Sequence, residues 1–310
     1  MTAIESGAPV AWIAVDWGTT RLRVWAMDAK DRALGRVESH FGMRGLRSGL
    51  FESALLTLLT GEKWLTPGKT LTVVICGMAG AREGWVDASY RDVPARPADG
   101  ARAVRAPSTA PGLQAWILPG LKQNDPPDVM RGEETQIAGL LVARPDFDGW
   151  ATLPGTHSKW ARVVDGRVES FFTAMTGELF DVLGEHSILR RSLDKGESWD
   201  WAQFDDALDG ALANPAGLIV RLFGLRPRAL LQGLEPGGVR ARLSGELIGA
   251  EIAYAVARAE RRPVALIGAA ALSQAYARAL RRAGFEVEVF DADALTLAGL
   301  MAAKETMPNA

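Results

Sequence analysis

The hydrophobic pattern of this chain opens on a buried strand that ends in a polar turn. Trp12–Val15 is apolar throughout, as in a strand that is buried on both faces. Apolar and polar or bulky residues then alternate from 21 to 26, which predicts a second strand. Between them lies a turn with a carboxylate, a glycine and two hydroxyls: Asp16, Gly18, Thr19 and Thr20. The stretch therefore predicts a β-hairpin whose turn carries a carboxylate, a glycine and two hydroxyl groups.

The same plan recurs near the middle of the chain. Residues 150–170 give an apolar strand, a Gly-Thr turn at Gly155 and Thr156 and a returning strand, and Arg-Val-Glu-Ser occurs at 36–39 and again at 167–170. Turn N–H groups and threonine hydroxyls can cradle phosphate oxygens, and a carboxylate beside them can hold hydrated Mg²⁺. An ordinary hairpin turn would explain either site alone. The repeat favours two related halves with a phosphate turn each.

The intervening segments predict an α/β protein. Leu71–Cys76 reads as a buried strand that ends in a glycine-rich loop, a common position for ligands. Gly132 followed by Glu133 and Glu134 reads as a helix start, where the helix dipole favours acids whether or not they are catalytic. Residues 87–127 read as a loop-rich insertion around the substrate, and the domain crossover is expected near 144–149.

The second half continues the alternation. A strand is predicted at 171–172, a helical insert at 192–213 and a helix at 244–259. A buried strand at 263–267 then leads through Gly268 and Ala269 into a helix at 272–282. This strand–Gly–helix unit resembles the adenosine-binding element of the actin/hexokinase superfold of ATP-dependent kinases, in which small residues leave room for the purine and ribose, although plain helix–sheet packing also requires small residues.

Composition excludes several classes of protein. The chain has 310 residues and a net charge of −2, so it carries no overall basic footprint for nucleic acid. The single cysteine, Cys76, is expected to be a buried apolar residue. The first ten residues show no signal peptide, and no apolar run approaches the roughly 20 residues of a membrane span. We therefore expect a cytoplasmic protein without a membrane or nucleic-acid partner.

Six strings spread over the chain resemble the 2-dehydro-3-deoxygalactonokinase family. They are A-V-D-W-G-T-T, C-G-M-A-G-A-R-E-G-W, M-R-G-E-E-T-Q, L-P-G-T-H-S-K-W, M-T-G-E-L-F and L-S-G-E-L-I-G-A-E. The resemblance implies two ribonuclease-H-like α/β domains of the actin/hexokinase/sugar kinase superfold, with an interdomain cleft. It places an acceptor-binding domain at 1–145 and a nucleotide-binding domain at 146–310, with the last helix able to pack back on the first. Arg21 and Ala269 depart from the family pattern, where Asn and Gly are expected.

The implied activity is transfer of phosphate from ATP, with Mg²⁺, to the 6-hydroxyl of 2-dehydro-3-deoxy-D-galactonate in galactonate catabolism. Asp16 is expected to hold the metal, and the nucleotide is expected at one set of residues: Gly18, Thr19, Thr20, Gly155, Thr156, His157, Gly268 and Ala269. The acceptor is expected at a second set: Arg23, Gly77, Met78, Arg82, Glu133, Thr176 and Glu178. Arg23 and Arg82 are the candidates for its carboxylate.

Three assignments stay open at this point. Glu134 is the first choice of general base, by analogy with phosphatases of the same superfold, and Asp16, Glu133 and Glu178 compete with it. Lys159 is either a source of charge compensation in the transition state or a solvated surface lysine. His157 either contacts phosphate or makes a structural hydrogen bond.

Other functions are weighed against the kinase. A phosphatase of the same superfold, acting on polyphosphate or a nucleotide, would share the phosphate turns. A kinase for the gluconate-derived epimer also stays open, because the two keto acids differ at one carbon and no residue decides between them. A filament former leaves no trace in the sequence. A sugar-sensing repressor would need a DNA-binding domain ahead of Trp12. The oligomeric state is open, with a homodimer as one option.

Overall fold

The computed structural model describes residues 9–47, 49–193, 198–258 and 260–308. Three parts of the chain that carry predictions lie outside the described residues. They are most of the N-terminal segment in which a signal peptide was sought, residues 194–197 of the expected insert, and Ala259 of the expected helix. The chain divides into two compact units. The first comprises Met1–Phe147, Val163–Phe171 and Ala292–Ala310, and the second comprises Asp148–Arg162 and Phe172–Asp291. The expected boundary between 145 and 146, with its division of roles, stays a prediction.

The described residues form helices and strands that we number along the chain. The strands are β1 Trp12–Trp17, β2 Leu22–Met27, β3 Ala33–Ser39, β4 Leu71–Gly77, β5 Arg91–Asp92, β6 Val104–Arg105, β7 Leu113–Ile117, β8 Leu121–Asn124, β9 Pro127–Met130, β10 Gly149–Leu153, β11 Ser158–Val164, β12 Arg167–Ala174, β13 Val264–Gly268 and β14 Val287–Asp291. The helices are α1 Phe51–Gly61, α2 Glu133–Ala143, α3 Thr176–His186, α4 Trp201–Ala213, α5 Leu218–Leu231, α6 Pro236–Arg258, α7 Ala270–Arg282 and α8 Ala292–Glu305.

The two largest sheets share one strand order. In the first unit the order is β3-β2-β1-β4-β7-β6, with β1 antiparallel to β2 and parallel to β4. The other sheet has the order β12-β11-β10-β13-β14, with β10, β13 and β14 parallel. Each sheet therefore places the hairpin strands on one side of its first strand and the crossover strands on the other. This correspondence confirms that the repeated sequence pattern marks two related halves.

The continuous apolar run of β1 follows from burial on both faces. Ile13, Val15 and Trp17 pack into a cluster with α1, while Trp12 and Ala14 pack into another cluster with α8. Alternate side chains of a strand point to opposite faces, so a strand covered on both sides has no polar position to spare. The polar residues begin where the strand leaves the sheet.

The final helix α8 packs against α2 at very short range. A Cβ placed on Gly139 would lie 1.9 Å from the carbonyl oxygen of Leu295, and one on Gly299 would lie 1.9 Å from that of Thr135. Only glycine permits this approach of two helix backbones. Contact between α2 and α8 fixes the start of α2, where the predicted acidic pair lies, relative to the start of α8.

Several predicted boundaries were wrong. The expected loop-rich insertion contains a three-stranded sheet of order β5-β8-β9. Of the expected helical insert, α4 begins at Trp201, and α5 after it was not predicted. Within the described residues no single helix is long and apolar enough to cross a membrane. Together, Trp201–Ala213 and Pro215–Leu231 reach that length and composition, but they are bent by 115°.

Candidate functional site

The turn of the first hairpin is fixed in shape and leaves its hydroxyls at the surface. Gly18 N donates to Arg21 O at 2.8 Å and so closes the turn between β1 and β2. Thr19 and Thr20 are exposed. The following loop passes behind them so closely that a Cβ on Gly42 would lie 2.2 Å from the carbonyl carbon of Thr20. A turn held in this way can present hydroxyl and N–H groups to an anion.

Asp16 lies beside this turn, at the end of β1, and is 7% exposed. Its Oδ2 is 3.1 Å from Arg23 Nη2, and its Oδ1 is 3.8 Å from Cys76 Sγ. Arg23 also pairs with Asp293 at the start of α8, and Arg36 donates to Asp293 at 2.6 Å. Burial raises the pKa of Asp16, Arg23 opposes that shift and Asp293 adds to it. Arg23, predicted to bind the acceptor carboxylate, is thus engaged by two carboxylates of its own unit.

Glu134 is a buried carboxyl in the first turn of α2, with 0% of its surface exposed. Gly132 N donates to its Oε2 at 2.7 Å, and Thr135 Oγ1 donates to its Oε1 at 3.1 Å. Burial, followed by the charge of Glu133, raises the pKa of Glu134 to about 8. A carboxyl that titrates near neutral pH is suited to proton transfer. The helix start predicted at Glu133 is confirmed.

The glycine loop after β4 contacts the start of α2. Gly77 has a φ of +87°, and a Cβ there would lie 2.5 Å from the carbonyl oxygen of Trp17. A Cβ on Gly132, whose φ is +106°, would lie 3.5 Å from the α-carbon of Gly77. Two backbones meet here in conformations that side chains rarely adopt. The structure therefore brings the Gly77 loop to the end of β1 and to the start of α2, which carries Glu134.

Within this unit the remaining acceptor candidates differ in their surroundings. Met78 is half-buried beside Gly77, while Arg82 is exposed. Cys76 is buried, as expected from the sequence. Burial raises the pKa of its thiol, and the Asp16 and Glu134 carboxyls raise it further. Asp16, the candidate metal ligand, and Glu134, the candidate base, therefore both raise the pKa of Cys76.

Arg131 is a residue that the sequence analysis missed. Its guanidinium is 4.3 Å above the ring of Tyr90, and its Nη2 donates to Ala88 O at 2.8 Å. Nε and Nη1 are buried without a hydrogen-bond partner among the described residues, and Nη1 would lie 2.6 Å from a Cβ on Gly80. The string M-R-G-E-E-T-Q contains this arginine, but its composition alone does not distinguish a buried guanidinium from a surface one.

The second Gly-Thr turn packs against the start of α3. A Cβ on Gly177 would lie 2.3 Å from the carbonyl oxygen of Gly155, so only glycine fits there. Glu178 N donates to Thr156 O at 2.9 Å. Thr156 itself is exposed. The turn and the N-terminus of an 11-residue helix thus form one surface of N–H groups, which is a favourable place for phosphate.

The charged residues of this turn have specific partners. His157 Nε2 is 2.6 Å from Glu178 Oε2, and both side chains are about half exposed. Lys159 is 6% exposed and donates to Thr173 Oγ1 at 2.7 Å. The alternative of a solvated surface lysine was therefore wrong for Lys159. Glu178, a competitor for the role of base, lies in the second unit beside the phosphate turn.

Glu251 on α6 is a further residue that the sequence analysis did not assign. It is 5% exposed and accepts hydrogen bonds from Trp160 Nε1 at 2.7 Å, Tyr276 OH at 2.7 Å and Thr176 Oγ1. Ser158 Oγ is 2.9 Å from the same tyrosine hydroxyl. Burial raises the pKa of Glu251, and the donors around it oppose the shift. This one carboxyl joins the strand after the phosphate turn, the start of α3 and helix α7.

A cavity of about 720 Å³ opens on these elements within the second unit. Its walls include the phosphate turn with the start of α3, helix α7, helix α6 and two tryptophans: Gly155, Thr156, Thr176, Gly177, Ala271, Leu272, Tyr276, Ser244, Trp199 and Trp201. A volume of this size is typical of sites for small molecules and cofactors. The lining combines a Gly-Thr turn and a helix start, which can bind an anion, with apolar and aromatic side chains, and this combination matches a nucleotide.

The predicted adenosine element lies on a neighbouring cavity. Gly268 is buried and lines a space of about 1130 Å³, which shares Trp201 and Gln274 with the smaller cavity. Ala269 is exposed and precedes the first turn of α7. The prediction placed Gly268 and Ala269 on the nucleotide. The structure puts residues 271, 272 and 276 of the following helix on the cavity with the phosphate turn.

Two α/β units with one sheet order, each opening on a hairpin with a Gly-Thr turn, define a protein of the actin/hexokinase/sugar kinase superfold. A structural comparison supports this class. The activator of the 2-hydroxyisocaproyl-CoA dehydratase from Clostridium difficile superposes with a TM-score of 0.50 at 14% identity, covering 95% of this chain and 94% of that one. This likeness concerns the fold alone.

Closer comparisons identify the family. The family model of 2-keto-3-deoxy-galactonokinase matches residues 16–303. The protein named Probable 2-dehydro-3-deoxygalactonokinase DgoK1 of Rhizobium meliloti (strain 1021) is 40% identical, covering 94% of this chain and 96% of its own. The 2-dehydro-3-deoxygalactonokinase of Escherichia coli (strain K12) is 33% identical, covering 96% and 99%. A Sinorhizobium meliloti crystal structure assigned the same activity has a TM-score of 0.87 at 39% identity, covering 95% of this chain and 98% of that one. The chain belongs to the 2-keto-3-deoxy-galactonokinase family, which confirms the predicted family and the kinase class.

Proposed function

We propose that this protein transfers the γ-phosphoryl group of ATP to the 6-hydroxyl of 2-dehydro-3-deoxy-D-galactonate. Family membership and the names of two relatives support the substrate. The observation that carries the proposal is the 720 Å³ cavity, which joins a Gly-Thr phosphate turn to the wall of α7 in one unit. Its combination of anion-binding and apolar walls fits a nucleoside triphosphate better than a sugar acid.

We assign the phosphates to the second turn and the start of α3. Thr156 offers an exposed hydroxyl, and the turn backbone around Gly155 lies against the first turn of the helix. Lys159 is buried one strand position beyond Ser158 and supplies a positive charge behind the turn. Phosphoryl transfer depends mainly on positioning and on neutralising charge that develops on the phosphoryl oxygens. Gly18, Thr19 and Thr20 are assigned the same role in the first unit.

We assign Mg²⁺ to Asp16. Magnesium in kinases is held by one or two carboxylates together with substrate phosphates and water. The buried Asp16 carboxylate has a raised pKa, so a nearby cation would stabilise its charged form. When bound, the metal would neutralise phosphate charge. Arg23 and Cys76 fix the carboxylate that would hold it.

We assign Glu134 as the general base for the acceptor hydroxyl. Its pKa of about 8 allows it to accept a proton near neutral pH, and the N–H of Gly132 fixes one of its oxygens. Glu133 has Oε2 2.9 Å from Arg131 N, so it is held in a different backbone contact. Arg82 is exposed, and Arg131 Nε and Nη1 have no hydrogen-bond partner among the described residues, so both arginines are candidates for the carboxylate of the sugar acid.

The test is ADP formation by purified protein with ATP, Mg²⁺ and each of two keto acids, the galactonate-derived and the gluconate-derived epimers. We expect kcat/KM for the galactonate-derived acid to be at least tenfold higher. A reversed preference would assign the protein to the epimer. Phosphate release from ATP at the same rate with and without an acceptor would instead support the phosphatase alternative.

A further inference from the structure

The outer face of α5 is apolar although it is exposed to solvent. Five residues form this α5 stripe, with exposed fractions of 82%, 78%, 64%, 63% and 83%: Ile219, Val220, Phe223, Leu230 and Leu231. At 3.6 residues per turn these positions fall on one face of the helix. The opposite face, with Leu222 and Leu225, packs into the core of α3, α5 and α6. A helix that is apolar on both faces is normally covered on both.

The area of the α5 stripe is large for a surface without a partner. At about 200 Å² for each fully exposed residue of this size, the five residues expose roughly 700 Å². The largest apolar patch of a typical monomer measures about 300–600 Å². A stable protein–protein interface buries about 800 Å² from each partner. The α5 stripe therefore supplies nearly the whole apolar core of one side of an interface.

We propose that the α5 stripe binds the α5 stripe of a second copy of this chain, with the two helices antiparallel. The five residues of the stripe carry no charge, so the stripe itself adds no like-charge repulsion between two copies. Its ends are both aliphatic, Ile219 and Val220 at one and Leu230 and Leu231 at the other, and a two-fold axis brings opposite ends together. Near the middle, a Cβ added to Gly224 would meet no atom within 4 Å, which allows the helices to approach closely.

The arginines of α5 favour a protein partner over a lipid surface. Helices that lie on membranes present Lys and Arg to headgroups and often carry Trp at the boundary. Here Arg221 Nε is 2.6 Å from Glu246 Oε2, and Arg226 Nη1 donates to Ser192 Oγ at 2.8 Å. Both of these arginines are directed back to the protein, whereas the third arginine of α5, Arg228, is exposed and donates from Nη1 to Gln232 Oε1 at 3.5 Å. Leu218–Leu231 contains neither Lys nor Trp.

The first experiment measures mass in solution by light scattering and sedimentation. We expect the full chain to be a dimer of about twice its 33.3 kDa mass, and Phe223→Glu to weaken dimerisation at least 100-fold, since the charge enters the interface twice. Val142→Glu is the matched control, because Val142 is 55% exposed on α2 and lies off the stripe. Circular dichroism verifies that each variant is folded. A monomeric wild-type chain, or a folded Phe223→Glu dimer of unchanged affinity, would overturn the proposal.

The second experiment tests the antiparallel arrangement. Gly224→Cys places a thiol near the two-fold axis, whereas Leu231→Cys places two thiols about 18 Å apart along the helices, given 1.5 Å per residue. The native Cys76 is buried. A short bifunctional maleimide should therefore link Gly224→Cys into dimers and leave Leu231→Cys unlinked, and the reverse would refute the arrangement. Sedimentation of a monomeric chain with anionic vesicles would refute the protein partner in favour of a membrane.

Discussion

The buried carboxyl of Glu134 should set the pH dependence of catalysis. Its pKa of about 8 arises from complete burial and from the neighbouring charge of Glu133. A general base works only when it is deprotonated, so the reaction should accelerate as the pH rises toward 8. We expect log(kcat/KM) for the keto acid to rise with unit slope from pH 6 and to level off above pH 8.

The magnitude follows from the position of this pKa. About 1% of Glu134 would be ionised at pH 6, about 10% at pH 7 and half at pH 8. The value of kcat/KM should thus increase roughly 50-fold between pH 6 and pH 8. Coupled detection of ADP from pH 5.5 to 9.5 measures it, with coupling enzymes in excess at each pH. A profile that is flat above pH 6 would refute the assignment of Glu134 as base.

Two variants separate chemistry from structure in this experiment. Glu134→Gln should lose catalysis by about 100-fold or more, within the range of 10²–10⁴ for general-base removal. Glu133→Gln, the matched control in the same turn, should keep the slope and shift it to lower pH, because a neighbouring negative charge is lost. If Glu133→Gln loses as much activity as Glu134→Gln, the roles of the two glutamates are reversed.

The same pKa predicts an effect on stability. The pKa of Glu134 is raised from 4.5 to about 8 in the folded state, so the folded state holds the proton more tightly than the unfolded state does. The contribution of this carboxyl to the free energy of unfolding therefore falls as the pH rises from 4.5 to about 8. Glu134→Gln, which carries no charge, should therefore gain Tm relative to the wild-type chain as the pH increases from 5 to 9. Scanning calorimetry at several pH values measures this difference. A constant difference would show that the pKa of Glu134 is not raised.

Three further predictions concern the other site residues. Asp16→Asn should lower kcat by orders of magnitude with little loss of Tm, because burial already raises the pKa of Asp16; near-normal turnover at saturating Mg²⁺ would exclude it as the metal ligand. Arg82→Met should raise the KM of the keto acid about tenfold to 100-fold, from roughly 1.5–3 kcal/mol for a charge-assisted hydrogen bond, and an unchanged KM would leave Arg131 as the candidate. Glu251→Gln should raise the KM of ATP about tenfold and leave that of the keto acid unchanged, since Glu251 holds Thr176 and Tyr276 on the cavity wall. Glu246→Gln on the same helix is the control. An equal effect of both substitutions would indicate a general packing role.

The sequence by itself determined the repeated architecture and the family. Both Gly-Thr turns follow apolar runs, because a strand buried on two faces must be apolar and the first polar residues mark its end. Gly132 and the acids after it mark a helix start for equally local reasons. The six strings lie in family order along the chain, so the kinase class followed without coordinates.

Only the tertiary structure decided how individual side chains are used. Arg23 and Arg82 look equivalent in the sequence, yet Arg23 pairs with Asp16 and with Asp293, 270 residues away along the chain. Lys159 on β11 is buried by packing that no local pattern reveals.

Glu251 and Arg131 were missed for the same reason. Glu251 lies between elements far apart along the chain, and its role depends on three donors that converge on one carboxyl. Arg131 Nε and Nη1, which have no hydrogen-bond partner in the part of the chain that the structure describes, are enclosed by the close packing of Gly80 and Ala88. Burial, pairing and raised pKa values are properties of the surroundings of a residue in space, and long-range packing alone sets those surroundings.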